Sequence, residues 1–137
     1  MASETKLIFE LETPIPFTCA DGTGIEKGAI LKLTSPMTAS LAAGDGDIIA
    51  GIAAEEKIAN DGKTKIAVYR RGIFSMLAGT AAITAGKAVD THAGSGATNE
   101  VALAPAAGDN ILGVALETFG DTEWGLIDLQ PLSRDMA

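Results

Sequence analysis

Apolar and polar positions in this chain alternate with a period of two more often than they recur at helical spacing. In residues 63–69, Thr64, Ile66 and Val68 fall on one side and Lys63, Lys65, Ala67 and Tyr69 on the other, as in a strand with one buried face. Within Ile48–Ile58 the stretch Ile48–Ala54 is small and apolar on both faces, and Asn60-Asp61-Gly62 separates the run from Lys63–Tyr69. An Asx-Gly pair between two such runs predicts a hairpin, because the turn needs positive φ. Arg70-Arg71-Gly72 then leads into an apolar strand, Ile73–Leu77. At the N-terminus Lys6–Glu12 is β-prone, but Pro14 and Pro16 exclude one continuous strand across 6–18. The pattern predicts an extended arm over 1–20 and a single barrel-like domain over 21–137. Ser35-Pro36 opens and Gly44 closes a segment that reads as a short helix, with an N-cap serine, a first-position proline and a glycine stop. Residues 80–85 form an Ala/Thr turn that is a second candidate, and His92–Asn99 reads as an exposed polar loop.

A repeat organises the rest. Residues 46–55, GDIIAGIAAE, and 108–117, GDNILGVALE, are identical at six of ten positions. Gly46, Asp47, Ile49, Gly51, Ala53 and Glu55 recur as Gly108, Asp109, Ile111, Gly113, Ala115 and Glu117. A weaker match precedes each copy (Ile25 to Leu31 against Ile83 to Val89), and a β-rich run follows each, Thr64–Tyr69 and Trp124–Leu129. Gly51 and Gly113 are expected where a backbone or side chain packs close, or at a bulge. The fold class is therefore all-β: a small β-barrel with an internal pseudo-duplication, an N-terminal arm and at most one or two short helices.

Composition supports this. Apolar residues make up 47% of the chain but aromatics only 4%, and its sixteen glycines would each cost ~1 kcal/mol in a helix interior. A length of 137 residues is one domain's worth. The net charge of −8 is repelled by phosphate backbones, so nucleic acid is an unsuitable partner. Met1-Ala2-Ser3-Glu4 lacks the basic region of a secretory signal. No apolar run approaches the ~20 residues of a membrane span, and the expectation is a soluble chain made in the cytoplasm without membrane contact.

Candidate chemistry is sparse. Cys19 and His92 are the sole cysteine and histidine, too few for a zinc tetrad and separated by most of the chain. Gly44-Asp45-Gly46-Asp47 and Asn60-Asp61 lack the spacing of a calcium loop and read as turn aspartates that cap their own backbone. Ala20 to Gly24 is a turn, since no phosphate-binding Gly-Lys-Ser/Thr follows. No catalytic residue, metal ligand or cofactor is expected. Arg70-Arg71 is the one basic doublet, and the sole tryptophan, Trp124, reads as a core or subunit-interface anchor. A carbohydrate- or small-ligand-binding β-module is the alternative reading, thinned by the scarcity of aromatics.

Ala50-Gly-Ile-Ala-Ala54 followed by Thr64-Lys-Ile-Ala-Val-Tyr-Arg-Arg-Gly-Ile-Phe74 resembles the lambda-type head-decoration proteins. Their pattern is a Gly-Ile-x-Ala strand and then a Thr-rich strand ending in Tyr, a basic residue, Gly and Phe. Gly108–Glu117 is similar to a strand of the wider group of phage capsid-cement proteins. The resemblance implies a β-tulip-like fold, usually trimeric, on the outer face of an icosahedral capsid. Its partners would be the major capsid protein and further copies of itself, and its place the virion. It also implies an N-terminal arm that pairs with capsid strands. Leu7, Ile8, Phe9 and Leu11 would be its contacts, and Arg70, Arg71 and Trp124 interface residues.

Overall fold

The computed structural model describes residues 4–42, 47–92, 99–104 and 110–132. Eleven strands make up the regular structure, and no helix occurs among the described residues. They are β1 (Lys6–Glu10), β2 (Ile15–Thr18), β3 (Ile30–Ser35), β4 (Thr38–Leu41), β5 (Ile49–Ala53), β6 (Lys65–Tyr69), β7 (Gly72–Ala78), β8 (Ala88–His92), β9 (Glu100–Leu103), β10 (Ile111–Ala115) and β11 (Trp124–Leu132).

The all-β, duplicated barrel reading holds, and the duplicated unit is a whole barrel. The first closes in the order β2-β4-β3-β5-β6. The second runs β7-β11-β10-β8-β9 and closes through a parallel β7–β9 pairing, with β1 added to the free part of the β7 edge. The registers coincide: Thr18 pairs with Thr38 and Lys65 in the first barrel, and Leu77 with Glu100 and Trp124 in the second. Bonds outside the strands repeat too. Gly28 N–H donates to Ala53 O at 2.9 Å and Gly86 N–H to Ala115 O at 2.8 Å. Ile25 bridges Lys57 as Ile83 bridges Phe119.

The repeated glycine and glutamate thereby gain reasons. A Cβ on Gly51 would fall on the carbonyl oxygen of Tyr69, and one on Gly113 on that of Asp128, so each glycine lets the β5–β6 or β10–β11 backbones approach. Glu55 accepts the Ala67 N–H at 2.8 Å and Glu117 the Leu126 N–H at 3.0 Å; each carboxylate takes up a donor of the strand that follows its turn.

Two apolar clusters form the core. Phe17, Ile25, Leu31, Ile66 and Val68 fill the first barrel. Phe74, Met76, Ile83, Leu112, Ile127 and Leu129 fill the second, and Ile30, Ala42, Ile49 and Ile52 of the first barrel join this second cluster. The barrels are therefore packed on one another through the outer face of β3 and β5. Two polar contacts secure the seam: fully buried Asn99 accepts the Ile30 N–H at 2.9 Å, and Asp47 N–H reaches Thr91 Oγ1 of β8 at 3.4 Å.

Several sequence expectations change. Ser35–Leu41 is a hairpin, not a helix: β3 runs through Ser35, Pro36-Met37 makes the turn with Met37 at φ 48°, and β4 returns. Serine and proline serve a turn as readily as a helix start, and strand pairing buries Ala39 where a helix this short is marginal. Ile15–Thr18, assigned to the arm, is the first strand of the first barrel. Pro16 is tolerated because its missing donor faces away from β6, as argued below. The β5–β6 hairpin forms with a longer connection than expected, and Asn60 and Gly62 take positive φ within it. Of the loop 92–99, residues 93–98 lie outside the described residues; His92 is half-buried and Asn99 buried, not exposed.

Candidate functional site

The arm residues sit on β1, an edge strand whose pairing among the described strands is with β7 alone. Lys6 pairs with Ser75, Leu7 with Phe74, Phe9 with Ile73 and Glu10 with Gly72, with an irregularity at Ile8. All five β1 residues are exposed, as is Leu11 beyond them; exposure reaches 60% at Phe9 and 57% at Leu11. The strand is thus held more by main-chain bonds than by side-chain burial. It is fixed at both ends. Thr5 is buried and donates through both its N–H (2.9 Å) and its hydroxyl (2.8 Å) to Gly28 O of the first barrel. Glu10 hydrogen-bonds the Tyr69 hydroxyl, whose pKa is raised first by burial and then by that carboxylate.

Residues opposite one another in a sheet share a face, which places Trp124 with the arm. Trp124 faces Leu77, Leu126 faces Ser75 and Asp128 faces Ile73, and Lys6 and Phe9 join the same side. The Lys6 ammonium lies 5.5 Å over the Trp124 ring, a contact that contributes ~0.5–1 kcal/mol at an exposed site. Trp124 is 40% exposed, so of its two expected roles the core is excluded. Against its counterparts in the first barrel this face is more apolar at three positions, with Trp124 where Lys65 stands, Leu126 where Ala67 does and Leu77 where Thr18 does, and more polar at two, Ser75 for Pro16 and Asp128 for Tyr69.

The arginine doublet divides. Arg70 donates to the carbonyls of Ile49 (3.3 Å) and Ala50 (2.8 Å) and is spent within the chain. Arg71 is exposed at the turn before β7.

One charged group escaped the sequence reading. Lys57 has a side chain only 1% exposed. Its ammonium donates to Asp21 Oδ1 at 2.9 Å, Asp21 O at 3.0 Å, Ile58 O at 2.8 Å and Asp61 Oδ1 at 2.7 Å. Burial pulls its pKa down, but the hydrogen bonds to Asp61 and Asp21 outweigh that and leave it raised. The same bond, helped by the Lys63 N–H, lowers Asp61 to about 2. The pair is therefore an ion pair that pins the 58–62 turn to residue 21. In the second barrel the equivalent Phe119 is buried against Gly125, where any Cβ would strike its ring. A depression of about 370 Å³ lined by Ile25, Glu26, Glu56, Lys57 and Ile58 lies beside the cluster. Its ammonium is already fully engaged.

Cys19 lies in the core of the first barrel with its thiol pKa raised by burial, and His92 ends β8 of the second. No group of three or more His, Cys, Asp or Glu among the described residues is arranged to hold a metal ion.

The profile of one family, the phage cement proteins, matches residues 12–123, which takes in β2 to β10 and leaves β1 and β11 outside the match. Among solved structures the chain is similar to the N base of the head fiber gp8.5 of bacteriophage phi29. The identity is 16% and the TM-score 0.57, over 88% of this chain and 98% of that one; at such identity the likeness shows the fold alone. No curated protein matches.

Proposed function

This chain belongs to the phage cement proteins, capsid-associated structural proteins, and from that premise we propose that it binds the outer surface of an icosahedral phage capsid and stabilises the shell. The observation that carries the docking mode is β1: an edge strand with one pairing partner and exposed apolar residues on both faces. Such a strand receives a strand of the major capsid protein by main-chain hydrogen bonding, while side-chain contacts supply selectivity. Leu7, Ile8, Phe9 and Leu11 are the contact residues. A ligand that prefers the closed shell stabilises it by mass action.

The face around Trp124 serves a second contact, between copies in a homotrimer, with exposed Arg71 at its border and Arg70 no longer part of it. Three linked copies raise overall capsid affinity by ~10²–10⁴ over one arm alone.

Cosedimentation with purified capsids tests the docking. Phe9→Asp with Leu11→Asp is expected to abolish capsid binding while leaving the thermal melt in place; undiminished binding would remove β1 from the site. Light scattering tests the second contact: Trp124→Ala is expected to lower the molar mass below that of the trimer, and an unchanged mass refutes it.

A further inference from the structure

Because both barrels share one register, each has an edge position next to its first strand, and the two are treated in opposite ways. In the second barrel, Gly79 N–H donates to Val101 O on the β9 side at 2.9 Å, and Ala78 N–H to Glu123 O on the β11 side at 3.0 Å. Backbone N–H groups alternate sides along a strand, so Ser75 and Ile73 direct theirs to the β9 side. Below the short β7–β9 pairing that side is occupied by β1. In the first barrel, Thr18 N–H donates to Met37 O beside β4 at 2.7 Å, and Cys19 N–H to Thr64 O at 3.0 Å. The same alternation directs positions 16 and 14, the counterparts of Ser75 and Ile73, to the open side. Both are proline, and neither has an N–H to offer. The chain thus closes one edge to strand addition and keeps the other competent, a known defence of exposed edges.

We infer that the Gly72–Ser75 edge is a strand-acceptor groove that takes the β1 segment of a second copy as well as its own, so that copies link by exchanging β1. The groove demonstrably fits this segment, since β1 already lies in it. The exchange costs little burial, because every β1 side chain is exposed. The exposed link Leu11-Glu12-Thr13 ahead of Pro14 supplies the hinge. Contacts made by Thr5, Lys6 and Glu10 re-form against the second copy, as in any swap of identical elements. A cyclic exchange leaves no groove empty. The inference needs no capsid and stands apart from the capsid-docking reading.

The test uses full-length chains in a Cys19→Ser background. One preparation carries Phe9→Cys and the other Ile73→Cys; these residues are cross-strand partners, a pairing whose Cα separation of ~5.5 Å lies within disulfide reach. After mixing, unfolding, refolding together and mild oxidation, a covalent heterodimer is expected. It should be absent when Ile15→Cys replaces Ile73→Cys, and lost when Ser75→Pro is added to the acceptor. A single chain carrying both Phe9→Cys and Ile73→Cys reports the connection within one copy. Closure there without any heterodimer in the mixture overturns the inference, and so does a heterodimer formed equally well with Ile15→Cys. Capsid cosedimentation of the same chains is read separately, so failure of docking and failure of exchange are distinguishable.

Discussion

The repeated glycines give the sharpest test of the duplication, because one substitution can be made at equivalent points of both barrels. At Gly51, φ is +150°, and an added Cβ would lie 2.7 Å from Val68 Cγ1 as well as on the Tyr69 oxygen. A closed barrel cannot widen one strand pair without moving the others, so the clash falls in the usual overpacking range of ~1–3 kcal/mol. The left-handed backbone adds ~1–2 kcal/mol for a residue with a side chain. Alanine's smaller unfolded-state entropy returns ~0.4–1 kcal/mol. Gly51→Ala should therefore destabilise the protein by about 2–4 kcal/mol, and Gly113→Ala, which lacks the left-handed contribution, by about 1–2 kcal/mol. At roughly 3–5 °C per kcal/mol for a chain of this size, the first shifts Tm on the order of 10 °C. Gly62→Ala is the control: φ is +86° but nothing lies within 4 Å of its Cβ, so only backbone strain is felt. Thermal melts followed by circular dichroism, with urea titrations for ΔG, decide the matter. If Gly51→Ala loses no more than Gly62→Ala, the β5–β6 approach is not what requires glycine, and the reason given for the repeat fails.

Phe119→Ala empties a buried ring site beside Gly125 and should cost ~3–5 kcal/mol in urea titrations. Asn99→Ala leaves the buried Ile30 N–H without its 2.9 Å acceptor and should cost ~1–3 kcal/mol, with faster hydrogen exchange along β3. Asp61, lowered from 3.8 to about 2, stabilises the fold fully above its unfolded pKa and loses that contribution as pH falls through the folded value. The urea midpoint should accordingly drop between about pH 4 and 2. Asp61→Asn should be less stable at neutral pH and flatter across that window, the two curves converging at its acid end.

The sequence carried the architecture further than the site. The period of two in 63–69 and the 46–55/108–117 repeat placed β6, β5 and β10 correctly, because local alternation and turn chemistry report directly on a half-buried strand. The order of strands in each barrel was not legible, since the parallel closures Thr18–Thr38 and Leu77–Glu100 join positions with no local signature. Ser35-Pro36 misled because capping and turn residues are the same residues. Lys57 was missed because a lysine in a charged stretch reads as solvated. Its alignment with Phe119 was the one available signal, as a charged and an aromatic residue then share a buried socket. The β-prone character of Lys6–Glu12 was legible, but its seat on β7 was not, because that pairing joins residues more than sixty positions apart.

The β1–β7 pairing also bears on biosynthesis. The Lys6–Glu10 strand leaves the ribosome well ahead of its acceptor, which begins only at Gly72, and at ~5–20 residues per second the delay is roughly 3–12 s. Through that interval the first-barrel strands β2 to β6 emerge one by one beside an orphaned apolar ribbon, and the set is complete only just before the acceptor appears. Pro14 and Pro16 deny that ribbon a premature seat on the barrel nearest to it, so the order of translation and the placement of two imino acids together steer the N-terminus to its distant berth.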